Sequence, residues 1–219
     1  MAPTLKKRLG ALMLALCLAA ALAACGGTAD RPAVESPERQ FTAPAEGDLI
    51  AIFSTSLGEV RAVLYPDAAP MAVYNFVGLA RSGYYDGTVI WRVEQGFAVQ
   101  GGDASGTGSG GATIYSNNPI PLEADSSLRH YAGALCAATT KGDPNSGQSQ
   151  FYIVAALPDS VDEAMQAELT ANGYTESQVA AYAAAGGLPY LDNTDTVYGQ
   201  VYQGMEVVDA MAAADTVQD

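Results

Sequence analysis

The order of the elements after residue 48 predicts a mainly β fold, in which a closed antiparallel barrel has helices plugging its ends. The apolar runs are short and rich in β-branched and aromatic residues, as strands are. Short turns with glycine or polar residues separate these runs. Helical periodicity occurs early in this region and again at its end. Two strands, a helix, several strands and a closing helix are typical of such a barrel.

The first predicted element is a β-hairpin. Residues 49–53 (LIAIF) and 59–65 (EVRAVLY) are two apolar runs joined by the segment STSLG. A helix is predicted next over 69–83, where apolar residues recur at helical spacing until Gly83 ends the pattern. The hairpin and this helix would form one side of the barrel.

The rest of the chain carries shorter β runs. TVIWRV and FAVQG are predicted strands separated by a turn, and GALCAA and QFYIVA are typical of buried strands. The predicted strands occupy 88–93, 97–101, 133–138, 150–155 and 196–202. A closing helix is predicted over about 205–213.

One segment, residues 159–187, is predicted to be a helical insert. It contains two short helical patterns joined at Asn172-Gly173, and Thr175 with Gln178 fits a capping box at the start of the second. The insert either covers one side of a groove or decorates the surface, and the sequence favours decoration.

The N-terminus predicts export and a lipid anchor. Residues 1–24 combine a basic start with an apolar run that is shorter than the roughly 20 residues needed to span a bilayer. The run ends in Leu-Ala-Ala-Cys, which resembles the lipobox of bacterial lipoproteins, with Cys25 as the lipidated residue. An ordinary signal peptide with a chance cysteine is the alternative. Residues 25–47, rich in Gly, Pro and charge, are predicted to be a flexible tether.

The composition excludes several kinds of partner. The chain carries 24 acidic and 10 basic residues, a net charge of −14, and such a surface repels nucleic-acid phosphates. Clustered Cys and His ligands for a metal are excluded, because His130 is the only histidine. In the mature domain Cys136 would be the one free thiol, which is typical of a small buried hydrophobe and leaves no intramolecular disulfide.

Enzymes that need a nucleophile or a dinucleotide are disfavoured. The loop GTGSGG at 106–111 matches a dinucleotide fingerprint only formally, because no helix pattern follows it, and it is interpreted as a loop on the barrel rim. The chain has no G-x-S-x-G elbow, and a single histidine disfavours a Ser-His-Asp hydrolase. His130 is instead predicted to make a structural hydrogen bond.

Five ordered motifs remain. They are IWRVEQGFAVQGGD at 90–103, GTG at 106–108, NSGQSQFYI at 145–153, LDNTDTVYG at 191–199 and GMEVVD at 204–209. In the first of them, Glu94 and Gln95 are predicted to form a turn that is not part of the motif. Together they resemble the cyclophilin family of peptidyl-prolyl cis-trans isomerases over about residues 48–213. The resemblance implies an eight-stranded cyclophilin-like barrel capped by two helices, and an isomerase domain over 48–219 that needs no cofactor and no metal.

The resemblance also implies a site. Arg92, Phe97 and Gln100 would be the catalytic residues: a cation that donates to the prolyl nitrogen, the floor of the proline pocket, and an amide that steers the cation or bonds the substrate backbone. The wall and rim of the pocket would be formed by Ala138, Thr139, Gln150, Tyr152, Tyr190, Leu191 and Asp195.

Five positions depart from the family pattern. Trp91 replaces the histidine before the arginine, and Ala98 replaces the methionine after the floor residue. Tyr152 replaces a pocket phenylalanine, Tyr190 replaces a tryptophan, and Asp195 replaces a rim histidine. An acidic rim would favour substrates with cationic residues beside the proline.

The sequence therefore predicts a monomeric, extracytoplasmic prolyl isomerase that is lipid-anchored to the bacterial cell membrane and assists the folding of proline-containing polypeptides. The alternative is a non-catalytic proline-peptide binding module or holdase on the same fold. A lipoprotein with a small molecule inside the barrel is a third, weaker possibility, because the strands are rich in large apolar residues.

Overall fold

The computed structural model describes Arg31 and residues 33–214, and its centre is one antiparallel sheet of seven strands. The strands are β1 (Leu49–Thr55), β2 (Gly58–Leu64), β3 (Arg92–Glu94), β4 (Ala98–Gly101), β5 (Ala134–Ala137), β6 (Phe151–Val154) and β7 (Val197–Gln203). Their order across the sheet is β1-β2-β7-β5-β6-β4-β3. The mainly β, antiparallel architecture predicted from the sequence is confirmed.

Four α-helices lie in the described part of the chain: α1 (Pro70–Arg81), α2 (Glu163–Ala171), α3 (Glu176–Ala185) and α4 (Met205–Ala212). Ala69, the residue before α1, has no polar side chain that could cap the helix. The carboxylate of Glu123 instead accepts the free backbone N–H groups of Met71 and Ala72 at 3.0 and 2.9 Å. The helices α2 and α3 form the predicted insert, and the capping box of Thr175 and Gln178 is present.

Eight strands and a closed barrel are not confirmed. In the run predicted as a strand over 88–93, the strand begins only at Arg92, so β3 has three residues whereas β1 has seven. These two strands stand at opposite ends of the strand order, and within the described residues no strand joins them. An apolar groove of about 1210 Å³ lies along β1, with Phe76, Ile90 and Met211 in its lining.

The sheet is buried on both faces. Leu135 and Ile153 belong to the larger core cluster, in which the sheet packs against apolar residues of α1 and α4. The neighbouring residues Cys136 and Tyr152 point to the opposite face and belong to a second cluster. Burial on both sides explains why β5 and β6 lack polar alternation in the sequence.

The segment predicted as a tether contacts the domain at Arg31 and at Gln40. The side-chain amide of Gln40, only 3 % exposed, donates to Gln200 at 2.8 Å and to the carbonyl of Arg129 at 2.9 Å. Its oxygen accepts the N–H of Arg129 at 2.7 Å. The guanidinium of Arg31 binds both carboxylate oxygens of Asp209 at 2.7 Å. Single polar anchors of this kind leave no periodic pattern in the sequence.

The predicted signal peptide, residues 1–24, and the predicted lipidation site, Cys25, lie outside the described residues. In the part of the chain that is described, no helix combines the length and the apolar character needed to cross a membrane.

We expect Gln40→Ala to lower the free energy of unfolding by about 1–3 kcal/mol, because it leaves buried groups of Gln200 and Arg129 without partners. Urea unfolding of the chain measures this change, and Glu46→Ala, an exposed position of the same segment, is the control. Equal midpoints for the Gln40 variant and the parent would contradict the packed position of this segment.

Candidate active site

The strand register places three predicted site residues in one row. Arg92 of β3 lies directly opposite Gln100 of β4, and Gln100 lies opposite Tyr152 of β6. Cys136 of β5 continues the row beside Tyr152. Side chains at directly opposed positions share a face of the sheet. The row therefore brings a cation, an amide and an aromatic ring together on the face of the second cluster.

The guanidinium of Arg92 is held at the open end of this row. Its Cζ lies 5.3 Å from the centroid of the Phe97 ring, and its Nη1 donates to Oε1 of Gln100 at 3.3 Å. Its Nη2 pairs with the carboxylate of Glu94, the next residue but one on the strand. The charged group therefore lies over the Phe97 ring. Because the Arg92 side chain is 41 % exposed, it remains accessible to a ligand.

A relay of amides fixes Gln100 in turn. Its Nε2 donates to Oε1 of Gln150 at 3.1 Å, and Nε2 of Gln150 donates to the carbonyls of Gly108 and Gly110 at 3.0 and 2.6 Å. Gly108 has a φ of +82°, and a Cβ there would come within 2.6–2.9 Å of the Trp91 ring. The indole and the glycine loop therefore pack so closely that only glycine fits, and the loop carbonyls stay in place.

Aromatic and apolar side chains form a wall beside the cation. The rings of Phe97 and Tyr152 stack with centroids 6.5 Å apart and an angle of 17°. Ala138 and Leu191 pack against the same cluster. The hydroxyl of Tyr152 donates to Asp195 at 2.8 Å. Burial is the largest cause that raises the pKa of Tyr152, and the nearby carboxylate of Asp195 adds to it, so this hydroxyl remains a donor.

Two predicted rim residues stand apart from these contacts. Thr139 is half-buried beside Ala138. Tyr190 belongs to the 3₁₀ turn Pro189–Leu191 and is 62 % exposed. The structure thus brings eight predicted residues into one connected site: Arg92, Phe97, Gln100, Ala138, Gln150, Tyr152, Leu191 and Asp195.

Sequence reasoning missed several residues that support the site. Glu94 follows Arg92 at the two-residue spacing that puts strand side chains on one face, and this spacing could have revealed the pair.

The structural role predicted for His130 is confirmed, since its Nδ1 lies 2.9 Å from Asp192. Its ring also stacks on Tyr152, with centroids 6.4 Å apart. The contact between His130 and Tyr152 joins residues far apart in sequence, so no local pattern could have predicted it.

The carboxylate of Asp103 fixes the glycine-rich loop. It is fully buried and accepts N–H groups from Ser105, Thr107, Gly108 and Gly110 at 2.6–3.1 Å. Burial raises the pKa of Asp103, but the hydrogen bonds from this loop outweigh it and hold the pKa at about 2, below the ordinary 3.8. The interpretation of 106–111 as a loop, rather than a dinucleotide-binding turn, fits this arrangement.

The site offers a fixed cation over an aromatic floor, with polar groups that are already paired. Among the described residues, no group of three His, Cys, Asp or Glu side chains could hold a metal ion. The chemistry it can perform is to place an N–H donor beside the apolar surface of Phe97. Such a site favours a reaction whose transition state localises electrons on one atom without transfer of a proton.

Comparisons with known proteins agree on one family. The family model for cyclophilin type peptidyl-prolyl cis-trans isomerases matches residues 50–219. A candidate peptidyl-prolyl cis-trans isomerase of Staphylococcus saprophyticus is 40 % identical over 161 residues, which are 74 % of this chain and 79 % of that protein. One of Staphylococcus aureus is 37 % identical over 169 residues, 76 % of this chain and 82 % of that protein.

Two further matches extend the comparison. A candidate bifunctional phosphatase/peptidyl-prolyl cis-trans isomerase of Streptococcus pyogenes is 40 % identical over 164 residues; these are 74 % of this chain but only 34 % of that longer protein. A crystal structure of a Cryptosporidium parvum cyclophilin type isomerase, obtained in the presence of the dipeptide Ala-Pro, has a TM-score of 0.59 and 26 % identity. It covers 76 % of this chain and 86 % of its own.

The low pKa of Asp103 predicts a specific acid response. Ionised Asp103 stabilises the fold above its unfolded pKa of about 4, and this contribution is lost as the pH falls through about 2. Asp103→Asn should therefore be less stable than the parent at neutral pH, and its stability should change less on acidification.

Urea unfolding at about pH 7 and about pH 3 measures both effects. Asp86→Asn, at an exposed aspartate, is the matched control. Parallel pH profiles for the Asp103 variant and the parent would show that this carboxylate does not hold the loop.

Proposed function

This chain belongs to the cyclophilin-type peptidyl-prolyl cis-trans isomerases, an enzyme family, and from that premise we propose how and where it acts. It accelerates rotation about Xaa-Pro bonds in extracytoplasmic polypeptides and so assists their folding, while a lipid on Cys25 holds it at the cell membrane. The single observation that carries the mechanism is the Arg92 guanidinium, supported over the Phe97 ring by Gln100.

Rotation about a peptide bond is slow because the nitrogen lone pair is delocalised into the carbonyl, which creates a barrier of about 18–20 kcal/mol. Xaa-Pro isomers have similar energies but exchange in tens to hundreds of seconds. An N–H donor aimed at the prolyl nitrogen favours the twisted state, in which the lone pair is localised there. Stronger binding of the twisted state than of either planar isomer lowers the barrier without a nucleophile.

Arg92 is the donor in this mechanism. A guanidinium stays charged at any working pH and presents several N–H groups in a fixed fork. Gln100 orients it, because the Gln100 oxygen accepts from Arg92 while its amide nitrogen is occupied by Gln150. The proline ring rests on Phe97 between the apolar side chains of the wall. The Ala-Pro dipeptide named with the Cryptosporidium structure supports a proline-containing peptide as the ligand.

The ion pair of Arg92 with Glu94 is the observation that favours the alternative, a non-catalytic proline-peptide binding module. It occupies one nitrogen of the fork. Both partners are about half exposed, however, and exposed ion pairs contribute only ~0–1 kcal/mol. A peptide that enters the slot therefore displaces Glu94 at little cost, and the catalytic assignment is preferred.

The acidic rim supports a preference for substrates with basic residues near the proline. Glu94 pairs with Arg92, which lies over Phe97, and Asp195 accepts the hydroxyl of Tyr152. A net charge of −14 adds a long-range attraction for cationic segments. The domain is proposed to act as a monomer.

We expect Arg92→Ala to lower kcat/KM for an Ala-Pro peptide by about 100-fold or more, because one preorganised donor is worth about that much. A protease-coupled isomerisation assay measures the loss. Arg61→Ala is the matched control: Arg61 also lies on a strand, is similarly exposed and pairs with a glutamate two residues away, Glu59.

Equal turnover by the Arg92 variant and the parent would assign the chemistry to another residue. Retained peptide affinity together with no turnover by the parent protein would support the binding-module alternative.

The lipid anchor has its own test. Cys25→Ser removes the thiol that would carry the lipid, so the variant should leave the membrane fraction or keep its signal peptide uncleaved. Fractionation of cells and the mass of the recovered chain measure both outcomes. A variant that fractionates and is processed as the parent is would refute the anchor.

A further inference from the structure

The carboxylate of Asp192 is a buried hub between the helical insert and the rim of the site. Its Oδ1 accepts the backbone N–H of His130 and contacts the His130 Nδ1, both at 2.9 Å. Its Oδ2 accepts hydroxyl groups from Tyr174 and Tyr182 at 2.9 and 2.8 Å. Arg129 places its Nε 3.5 Å from the same oxygen. Both carboxylate oxygens are therefore occupied.

The insert supplies two of these donors. Tyr174 lies between α2 and α3, and Tyr182 lies within α3. Burial, followed by the charge of Asp192, raises the pKa of Tyr182, and the same causes raise that of Tyr174 to about 12. Both hydroxyls therefore keep their protons and donate at neutral pH.

Asp192 connects to the pocket through the chain. It directly follows the 3₁₀ turn Pro189–Leu191, which carries the rim residues Tyr190 and Leu191. The carbonyl of Leu191 accepts the N–H of Asp195 at 3.3 Å, and the Asp195 carboxylate holds the Tyr152 hydroxyl. An anchor at Asp192 therefore sets the position of the rim.

A second connection runs through stacked rings. His130, oriented by Asp192, stacks on Tyr152 at 6.4 Å, and Tyr152 stacks on Phe97 at 6.5 Å. Both interplanar angles are 17°, and the Arg92 guanidinium lies at the far end, over Phe97. The pocket floor is thus the end of a column that begins at Asp192.

We propose that the insert is a positioning element for the proline pocket, and that Tyr174 and Tyr182 act as positioning residues through Asp192. This inference rests on the proposed function, and it replaces the interpretation of the insert as surface decoration. Loss of the two hydroxyls leaves one oxygen of a buried carboxylate underbonded. The rim then shifts away from the geometry that holds the proline ring, while the Arg92 donor keeps its own support from Gln100.

The test is the double variant Tyr174→Phe/Tyr182→Phe in the full chain. Both rings and their packing are kept, and only the hydroxyls are lost. We expect KM for a proline peptide to rise about fivefold with kcat little changed, because the rim binds the ring and small displacements of binding groups weaken productive binding. Progress curves at several peptide concentrations separate the two constants.

Tyr131→Phe is the matched control. Tyr131 is fully buried and lies 4.4 Å, ring to ring, from Tyr182, and its hydroxyl has no hydrogen-bond partner among the described residues. The substitution removes a buried hydroxyl next to Tyr182 and changes no hydrogen bond to Asp192. Its KM should equal that of the parent.

The single variant Tyr174→Phe, at a half-buried position, keeps the test decisive if the double variant does not fold; its KM should rise by about twofold. An unchanged KM in every folded hydroxyl variant would overturn the proposal, and so would an equal rise in Tyr131→Phe. These results leave the proposed function intact if Arg92→Ala is inactive. Absence of turnover by the parent protein would instead overturn the proposed function, whereas full turnover by Arg92→Ala would move the chemistry to another residue.

Discussion

The site depends on the antiparallel register of three short strands. Arg92, Gln100 and Tyr152 come from β3, β4 and β6, and only their direct opposition puts them on one face. A slip of one residue in β4 would replace Gln100 in this row by Val99, which is fully buried in the other cluster. The donor would then lose its orienting amide, and the opposite face would receive a polar side chain. The pairing of β3, β4 and β6 therefore determines both the packing of the core and the placement of the site residues.

Register alone leaves long polar side chains free to rotate, and the loops around the sheet remove that freedom. Asp103 gathers four backbone N–H groups and sets the glycine loop, whose carbonyls hold Gln150. Asp192 performs the corresponding task on the other side of the pocket. Each buried carboxylate fixes several donors at once. The candidate catalytic residues Arg92 and Gln100 can then remain half-exposed, as ligand binding requires, while hydrogen bonds hold their side chains.

The strand runs, the amphipathic helices and the capping box of the insert were all predictable, because each is a local pattern with a definite period or spacing. The residues of the row were predictable because their motifs occur together and in order. The packed segment around Gln40, the hub at Asp192 and the stack of His130 on Tyr152 were not. These contacts join positions 10 to 160 residues apart through single polar or aromatic groups, which no periodicity marks. The open edge between β1 and β3 also escaped prediction, since an apolar run at 88–91 has strand composition whether or not a partner strand is present.

The departures from the family pattern are accommodated by neighbours that leave the donor untouched. The extra hydroxyl of Tyr152 donates to Asp195 at 2.8 Å, so it adds a hydrogen bond and is not left without a partner. The Trp91 ring packs closely against Gly108, in the loop whose carbonyls accept hydrogen bonds from Gln150. Isomerisation by differential binding makes few demands on residue identity: it needs one well-aimed N–H donor and an apolar surface beside it. A site of this kind can change most of its rim, and with it the residues it prefers beside the proline, as long as Arg92 keeps its place over Phe97.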